Sequence, residues 1–544
     1  MSIVGMRNFM HGRMQYIMLA LAVVMAIGMV GVMIGTGRTP TVANDTSGAL
    51  AKINGDRIDR QAFELRYQKE TEQAQDTIVP SAFQEAQTRG RLFDAMVDEI
   101  LRVQMAEKAG VKVRRGEIKA KINEYIDMRV NQLKGQALAN YKGKKTDQAF
   151  DAELRKSGMS IAQIKADMRK AIDPNTVREQ VLIEKYYAKL KDGMDTSDRA
   201  VRAGFDEIRL AQITIGVGNR SAVQAEQRAK DVLAKVRAGE DFGKLAQQYS
   251  EDPYKAMGGD QGNFMKKSSL PDDIADAAFR LKAGEVGGPI QQPDGYVIFK
   301  VQERRSALPA DFNDPKKNKG YRDMYLQQEQ YRLQAKAEND MRKNASIAVS
   351  DPEIKAYLAS KDIGAYLDPS GGTRAKAKAK EALKLYQAAV NASVGDSQAL
   401  ARCYSSMAYL YYLMSKAGPL SPTPQEKVEY VKKAIESFTE ALNYTESNDL
   451  RAALADLYIE NKDYDKALAQ LKYVSDNEFY DKNVHMQIIS KYEWMKSARP
   501  GIVAQRIADE NRWIADYEKR MQESQSQTTQ QTSKPFRVPP KPGG

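Results

Sequence analysis

The chain has 544 residues, with 83 lysines and arginines against 71 aspartates and glutamates, a formal net charge of +12, one cysteine and two histidines. That length means several domains of roughly 100 to 200 residues each, and the interleaving of both charge signs suits solvated helices rather than a nucleic-acid footprint. A lone Cys403 excludes an intramolecular disulfide and a thiolate cluster, and His11 and His485 are too few for a histidine-built metal site or a Ser-His-Asp arrangement. No metal, cofactor or nucleic acid is expected.

Residues 1–15 carry Arg7 and Arg13 and read as a short cytoplasmic N-terminus; 16–35 are apolar or small and uncharged. About 20 residues rising about 1.5 Å each span the bilayer core as a helix, so a single-pass membrane anchor is expected, with the bulk of the chain extracytoplasmic by the positive-inside bias. A cleavable signal ending near Thr41-Val42-Ala43 is the competing reading. Gly31 and Gly35 form a small-xxx-small pair that would let two such helices approach. Residues 36–48 form a polar tether.

Folded structure begins at 49. Ala49 to Ile53 reads as a strand entering an Asn54-Gly55 turn, because this pair accepts positive φ. Helices follow from about Arg60, through Phe93, Met96, Val97, Ile100, Leu101, Val103 and Met105 to a stop at Gly110, then over 115–134 and 160–191. The arrangement, and Phe93 to Val113 in particular, resembles the N-terminal chaperone domain of SurA-like and PpiD-like foldases. The resemblance implies a module over 49–204, completed by a returning segment at 319–350. It would hold unfolded chains in apolar grooves, with Met96, Met105, Met128 and Met168 as adaptable surface if they are not simply core.

Between Glu207 and Arg305 a set of signposts occurs in order: Ile208 to Ile215, Gly239-Glu240-Asp241-Phe242, Tyr249-Ser250-Glu251-Asp252, Gly258 to Phe264, Gly284-Glu285-Val286 and Gly295 to Val301. Strand 210–215, helices 221–238 and 242–249, a glycine loop, helix 271–280 and strand 296–302 make an α+β unit with an antiparallel sheet. The order resembles a parvulin of the PpiC/rotamase type, a small peptidyl-prolyl cis-trans isomerase, over 205–305. The resemblance implies a prolyl pocket at Leu270, Ile274 and Phe279 with Phe264 nearby, and a catalytic role for Asp252 and Gln212. Parvulins usually hold histidines where this chain has Gln212 and Val297; glutamine can donate and accept hydrogen bonds, valine neither. Each apolar residue has a core reading as well, and Asp252 before Pro253 could cap a turn. Gly258-Gly259-Asp260 lacks the lysine of a phosphate loop and reads as a turn.

A long polar helix over 319–344 and a strand over 345–349 follow, within a 306–372 helix and linker. From 373 to 497 helix pairs recur. Ala434, Phe438 and Ala441 correspond to Ala467, Leu471 and Val474; Met407, Ala408 and Tyr411 to Leu454, Ala455 and Tyr458; an earlier copy lies at Ala382, Tyr386 and Ala389. These offsets resemble tetratricopeptide repeats, which implies a protein partner; generic antiparallel helices are the alternative. Residues 498–544 are expected to finish a helix and, beyond Gln522, to be disordered.

The expected whole is multidomain: an N-terminal transmembrane helix, a mostly α chaperone module, an inserted α+β parvulin-like domain and C-terminal all-α repeats. The expected function is a membrane-anchored isomerase and chaperone acting on unfolded or proline-containing exported polypeptides. The alternatives are a non-catalytic holdase and a repeat-based scaffold.

Overall fold

A computed structural model of the protein describes residues 48–74, 81–138, 146–156, 158–217, 220–292, 295–361, 363, 372–416 and 422–532. The expected span at 16–35, its N-terminal flank and the tether up to residue 47 lie outside the described residues. Among the described residues no helix is long and apolar enough to cross a membrane. The described residues fall into two units: those up to Asp76, Arg91–Gly216 and Ser221–Asp351 form the first, and those of Thr77–Gly90, Val217–Arg220 and Pro352–Gly544 the second.

In the first unit, β1 (Ala49–Ile53) turns through Asn54 (φ 49°) and Gly55 (φ 98°) into β2 (Asp56–Asp59). Both turn residues sit in the left-handed region, which is why Asn-Gly occupies them. A third strand, β7 (Ile347–Val349), pairs antiparallel with the other edge of β1, Ala51 opposite Val349 and Ile53 opposite Ile347. Helices Arg60–Ala74, Ala82–Lys108, Arg115–Ala137, Asp147–Lys156, Ile161–Ala171 and Pro174–Asp192 follow the hairpin. The single helix expected over 160–191 is two, because Asp173 caps the second by accepting from the Asn175 amide and Pro174 cannot donate the bond that would continue the first. Ile122, Ile126, Val130 and Leu133 line one stripe of their helix and pack on Phe150, Leu154, Ile164 and Met168. Met168 is therefore core, Met96 and Met105 are half-buried, and Met128 is exposed.

The inserted sheet runs β4-β3-β6-β5, antiparallel throughout, from β3 (Asp206–Gly216), β4 (Asp260–Lys266), β5 (Val286–Gln292) and β6 (Gly295–Ser306). Two of these strands depart from the sequence reading. The glycine run is a turn only at Gly258 and Gly259, after which Asp260 to Lys266 pair with β3; β5 was not expected at all. Both are edge strands rich in glycine and polar residues, so neither shows the alternation that marks a half-buried strand. Helices Ala222–Arg237, Phe242–Tyr249 and Asp272–Ala278 complete the domain, and Pro315–Lys343, without a single buried residue, leads back to β7.

The second unit is helical: Pro352–Lys361, Gly372–Ala392, Ser397–Ser415, Pro424–Leu442, Asn448–Glu460, Tyr464–Asn477, Lys482–Met495 and Pro500–Thr532. The small and large residues matched between helix pairs are buried, except Tyr411, which is half-buried. Residues 82–90 belong to this unit. The Phe83 ring lies 4.2 Å from that of Tyr409, and a Cβ on Gly90 would come within 2.4 Å of the Tyr357 ring, so only glycine fits there. Buried Arg402 grips half-buried Glu353 through two bonds of 2.7 and 2.9 Å. The disorder expected beyond Gln522 is corrected as far as Thr532: the helix continues through this glutamine-rich stretch, glutamine being a good helix former. Residues 533–544 lie outside the described residues.

Candidate functional site

Alternation along β3 sends Ile213 and Ile215 to one face of the sheet and Ile208, Leu210, Gln212 and Thr214 to the other. Directly across on β6, Val297 faces Thr214 and Phe299 faces Gln212, so the two positions where a parvulin would hold histidines are diagonal neighbours on one face. Asp252 reaches this face from the end of helix Phe242–Tyr249. It is only 8% exposed, and every bond it makes is to a donor. Its Oδ2 accepts from Thr214 Oγ1 (2.7 Å), Ser250 Oγ (2.9 Å) and Gln212 Nε2 (3.1 Å), and its Oδ1 accepts from the Tyr254 amide (2.9 Å). The last bond caps the short 3-10 turn Pro253–Met257, so the capping reading of Asp252 and the site reading hold at once. Gln261 on β4 donates to Gln212 Oε1 at 2.5 Å, fixing which end of that amide points at the carboxylate. Gly259 brings the turn against β3: its carbonyl accepts from the Gln212 amide at 2.8 Å, and with φ of 83° a Cβ there would meet the Gln212 oxygen.

The apolar half of the site adjoins through Val297. Ile274, Ala278, Val297 and Phe299 are buried with Ile208 and Leu210, and Met265, Leu270, Phe279 and Ile290 pack on them half-exposed. Ile274 is thus buried while Leu270 and Phe279 stay partly exposed, with Arg304 bonded to the Phe279 carbonyl at 3.0 Å and lying over its ring. Phe264 is not among them. On β4 it pairs with Arg209 while Met265 pairs with Ile208, so the pleat turns Met265 toward the cluster and Phe264 to the opposite face, under the Arg305 guanidinium at 3.9 Å. The placement of Phe264 by the pocket is corrected accordingly.

Thr214, Ser250, Gln261 and Met265 are the members that sequence reading overlooked. Thr214 was legible, two residues beyond Gln212 on the same strand; the other three become neighbours only through the β3–β4 register and the turn at 250–252.

The helix bearing Ile274 is held by charge. Asp276 accepts from Lys267 and Lys336, each at 2.8 Å, and Arg332 donates to Asp272 at 3.1 Å and to Glu329 at 2.7 Å. Partial burial raises the Asp276 carboxyl, but the two lysines outweigh it and hold it well below the usual carboxylate range. Among the described residues no group of histidine, cysteine, aspartate and glutamate could hold a metal ion. The site sets a partly exposed apolar cluster beside a polar network centred on the Asp252 carboxylate.

Residues 210–303 match the PPIC-type PPIASE domain, and residues 6–178 the SurA-like N-terminal domain. The foldase protein PrsA of Halalkalibacterium halodurans is 28% identical over 39% of this chain and 59% of its own length. Foldase protein PrsA 4 of Bacillus cereus is 34% identical over 24% of this chain and 47% of its own. The chaperone SurA of Chromohalobacter salexigens is 26% identical over 47% of this chain and 56% of its own. The chain thus spans about half the length of these curated relatives.

Proposed function

We propose that this chain, which carries a PPIC-type domain after a SurA-like N-terminal domain, is an extracytoplasmic peptidyl-prolyl cis-trans isomerase and chaperone of exported polypeptides. The observation that carries the reading is the junction of the Asp252 network with the Leu270, Ile274 and Phe279 cluster at the Thr214–Val297 pair. Rotation about an X-Pro bond is slow because amide resonance sets a barrier of about 20 kcal/mol. An enzyme lowers it by binding the twisted amide better than either planar form, which needs shape and fixed dipoles rather than a nucleophile. In this reading the prolyl ring rests on Leu270, Met265 and Phe279 above Ile274, and Asp252 acts as a positioning residue that sets the Gln212 amide toward the bound peptide.

The module of 49–204 with 319–350 would hold the client, the 205–305 domain would turn its prolines, and the 373–497 helices would form tetratricopeptide-like repeats for a protein partner. The uncharged run at 16–35 supports a membrane tether. The test is cis/trans exchange of a proline peptide followed by NMR with the full chain. Exchange is expected to accelerate, and Leu270→Ala to remove most of the acceleration, since a truncated wall forfeits about 2–3 kcal/mol of apolar contact. An unchanged uncatalysed rate ends the reading. A second reading, a holdase without turnover, is favoured by Val297, which puts a methyl surface where a ring donor would otherwise stand. It is told apart by suppression of aggregation at stoichiometric ratio with no rate effect.

A further inference from the structure

A groove of about 570 Å³ opens in the second unit between helices Gly372–Ala392, Ser397–Ser415 and Pro424–Leu442. Its floor is apolar, with Leu383, Met407 and Met414 buried. One wall carries Tyr411 and Tyr430, rings stacked 6.4 Å apart. The other is an exposed stripe, Lys380, Lys384, Gln387 and Asn391, recurring at the four- and three-residue steps that keep side chains on one helix face.

The charges do not cancel. Both acids lining the groove are engaged by other lysines, Glu426 by Lys376 at 2.6 Å and Glu429 by Lys433 at 2.8 Å. Lys380 and Lys384 take part in no ion pair or hydrogen bond among the described residues; Lys380 acts on Glu429 only at longer range, so the lysine wall leaves a positive excess at the opening. From Lys380 to Asn391 the helix rises about 16 Å, the length of about five extended residues. An extended peptide alternates its side chains. Acids pointing at the lysine wall therefore place apolar neighbours on the methionine floor, while Gln387 and Asn391 can each donate to and accept from a peptide backbone.

We propose that this groove docks an extended acidic segment of a partner protein, its carboxylates on Lys380 and Lys384 and its intervening apolar or aromatic side chains on Met407, Met414 and Tyr411. Residues 524–544 do not fit, since they hold Lys534, Arg537 and Lys541 and no acidic side chain. The proposal uses no residue of the isomerase site and stands or falls apart from it.

The test is fluorescence anisotropy with the full chain and three labelled peptides of equal length, alternating leucine or tyrosine with glutamate, glutamine or lysine. The glutamate peptide is expected to bind, to weaken as salt rises through the physiological range, and to outbind the other two. Lys380→Glu with Lys384→Glu should weaken it by about tenfold or more, two like charges now facing the acids, while Lys472→Glu, outside the groove, leaves affinity unchanged. Equal binding of the glutamine peptide, no salt dependence, an unaffected double variant, or no binding of any peptide overturns the proposal. The peptide and salt comparisons need no variant, so a misfolded variant does not shield it.

Discussion

Four donors converge on Asp252, and what each loses on substitution differs. In Asp252→Asn the remaining oxygen can still cap the Tyr254 amide, and the Thr214 and Ser250 hydroxyls can turn to accept from the new NH2. The Gln212 NH2 then faces another NH2 and can be satisfied only by flipping away from Gln261. In Asp252→Ala all four donors lose their acceptor. The expected costs are about 1 kcal/mol for asparagine and about 2–4 kcal/mol for alanine, read from chemical denaturation. Both should depress the isomerisation rate, the asparagine variant with its fold intact. Full activity in Asp252→Asn would show that the carboxylate's charge is not used.

Helix Asp272–Ala278 is only seven residues long and cannot hold itself. It is anchored to the long helix Pro315–Lys343 by Arg332 on Asp272 and Lys336 on Asp276, so the position of Ile274 depends on an element from the returning half of the first unit. Arg332→Ala is expected to cost about 1–3 kcal/mol by leaving partly buried carboxylates unpaired, and to weaken peptide binding more than it slows turnover of bound peptide, since Arg332 touches the helix and not the site. Separate measurement of KM and kcat checks this. Because the folded-state Asp276 carboxyl lies below its unfolded value of about 4, its contribution is complete above that pH and is lost as pH falls through the lower folded value. The stability difference between the parent chain and Asp276→Asn should therefore be constant from pH 8 to about 5 and shrink below about pH 4. A difference that instead vanished near neutral pH would point to another group.

Across the described residues the two units are interleaved along the chain: 81–90 belongs to the second although most of the helix Ala82–Lys108 belongs to the first. A boundary drawn from sequence between 350 and 373 looks like a natural place to cut. Truncation after Asp351 would strip Phe83 of Tyr409, Gly90 of Tyr357 and Arg89 of Glu353, its partner at 4.0 Å. The first turns of the helix are then expected to fray, with amide exchange over 82–90 rising by at least about a hundredfold as apolar burial is lost. Unchanged protection there would mean that the helix stands without the second unit.

Local chemistry alone determined the Asn54-Gly55 hairpin, the stripe of Ile122, Ile126, Val130 and Leu133, the β3 alternation that makes Gln212 face the site, and the small-large offsets of the C-terminal helices. Each depends on a φ preference or a periodicity that a few neighbouring residues carry by themselves. Tertiary structure alone decided that Met265 rather than Phe264 meets the apolar cluster, that Thr214, Ser250 and Gln261 join Asp252, that Arg332 grips the pocket helix, and that 82–90 packs with the second unit. Those pairings follow from strand register and from which surfaces meet after long loops close, and a one-residue slip reverses a side chain's face without changing any local preference.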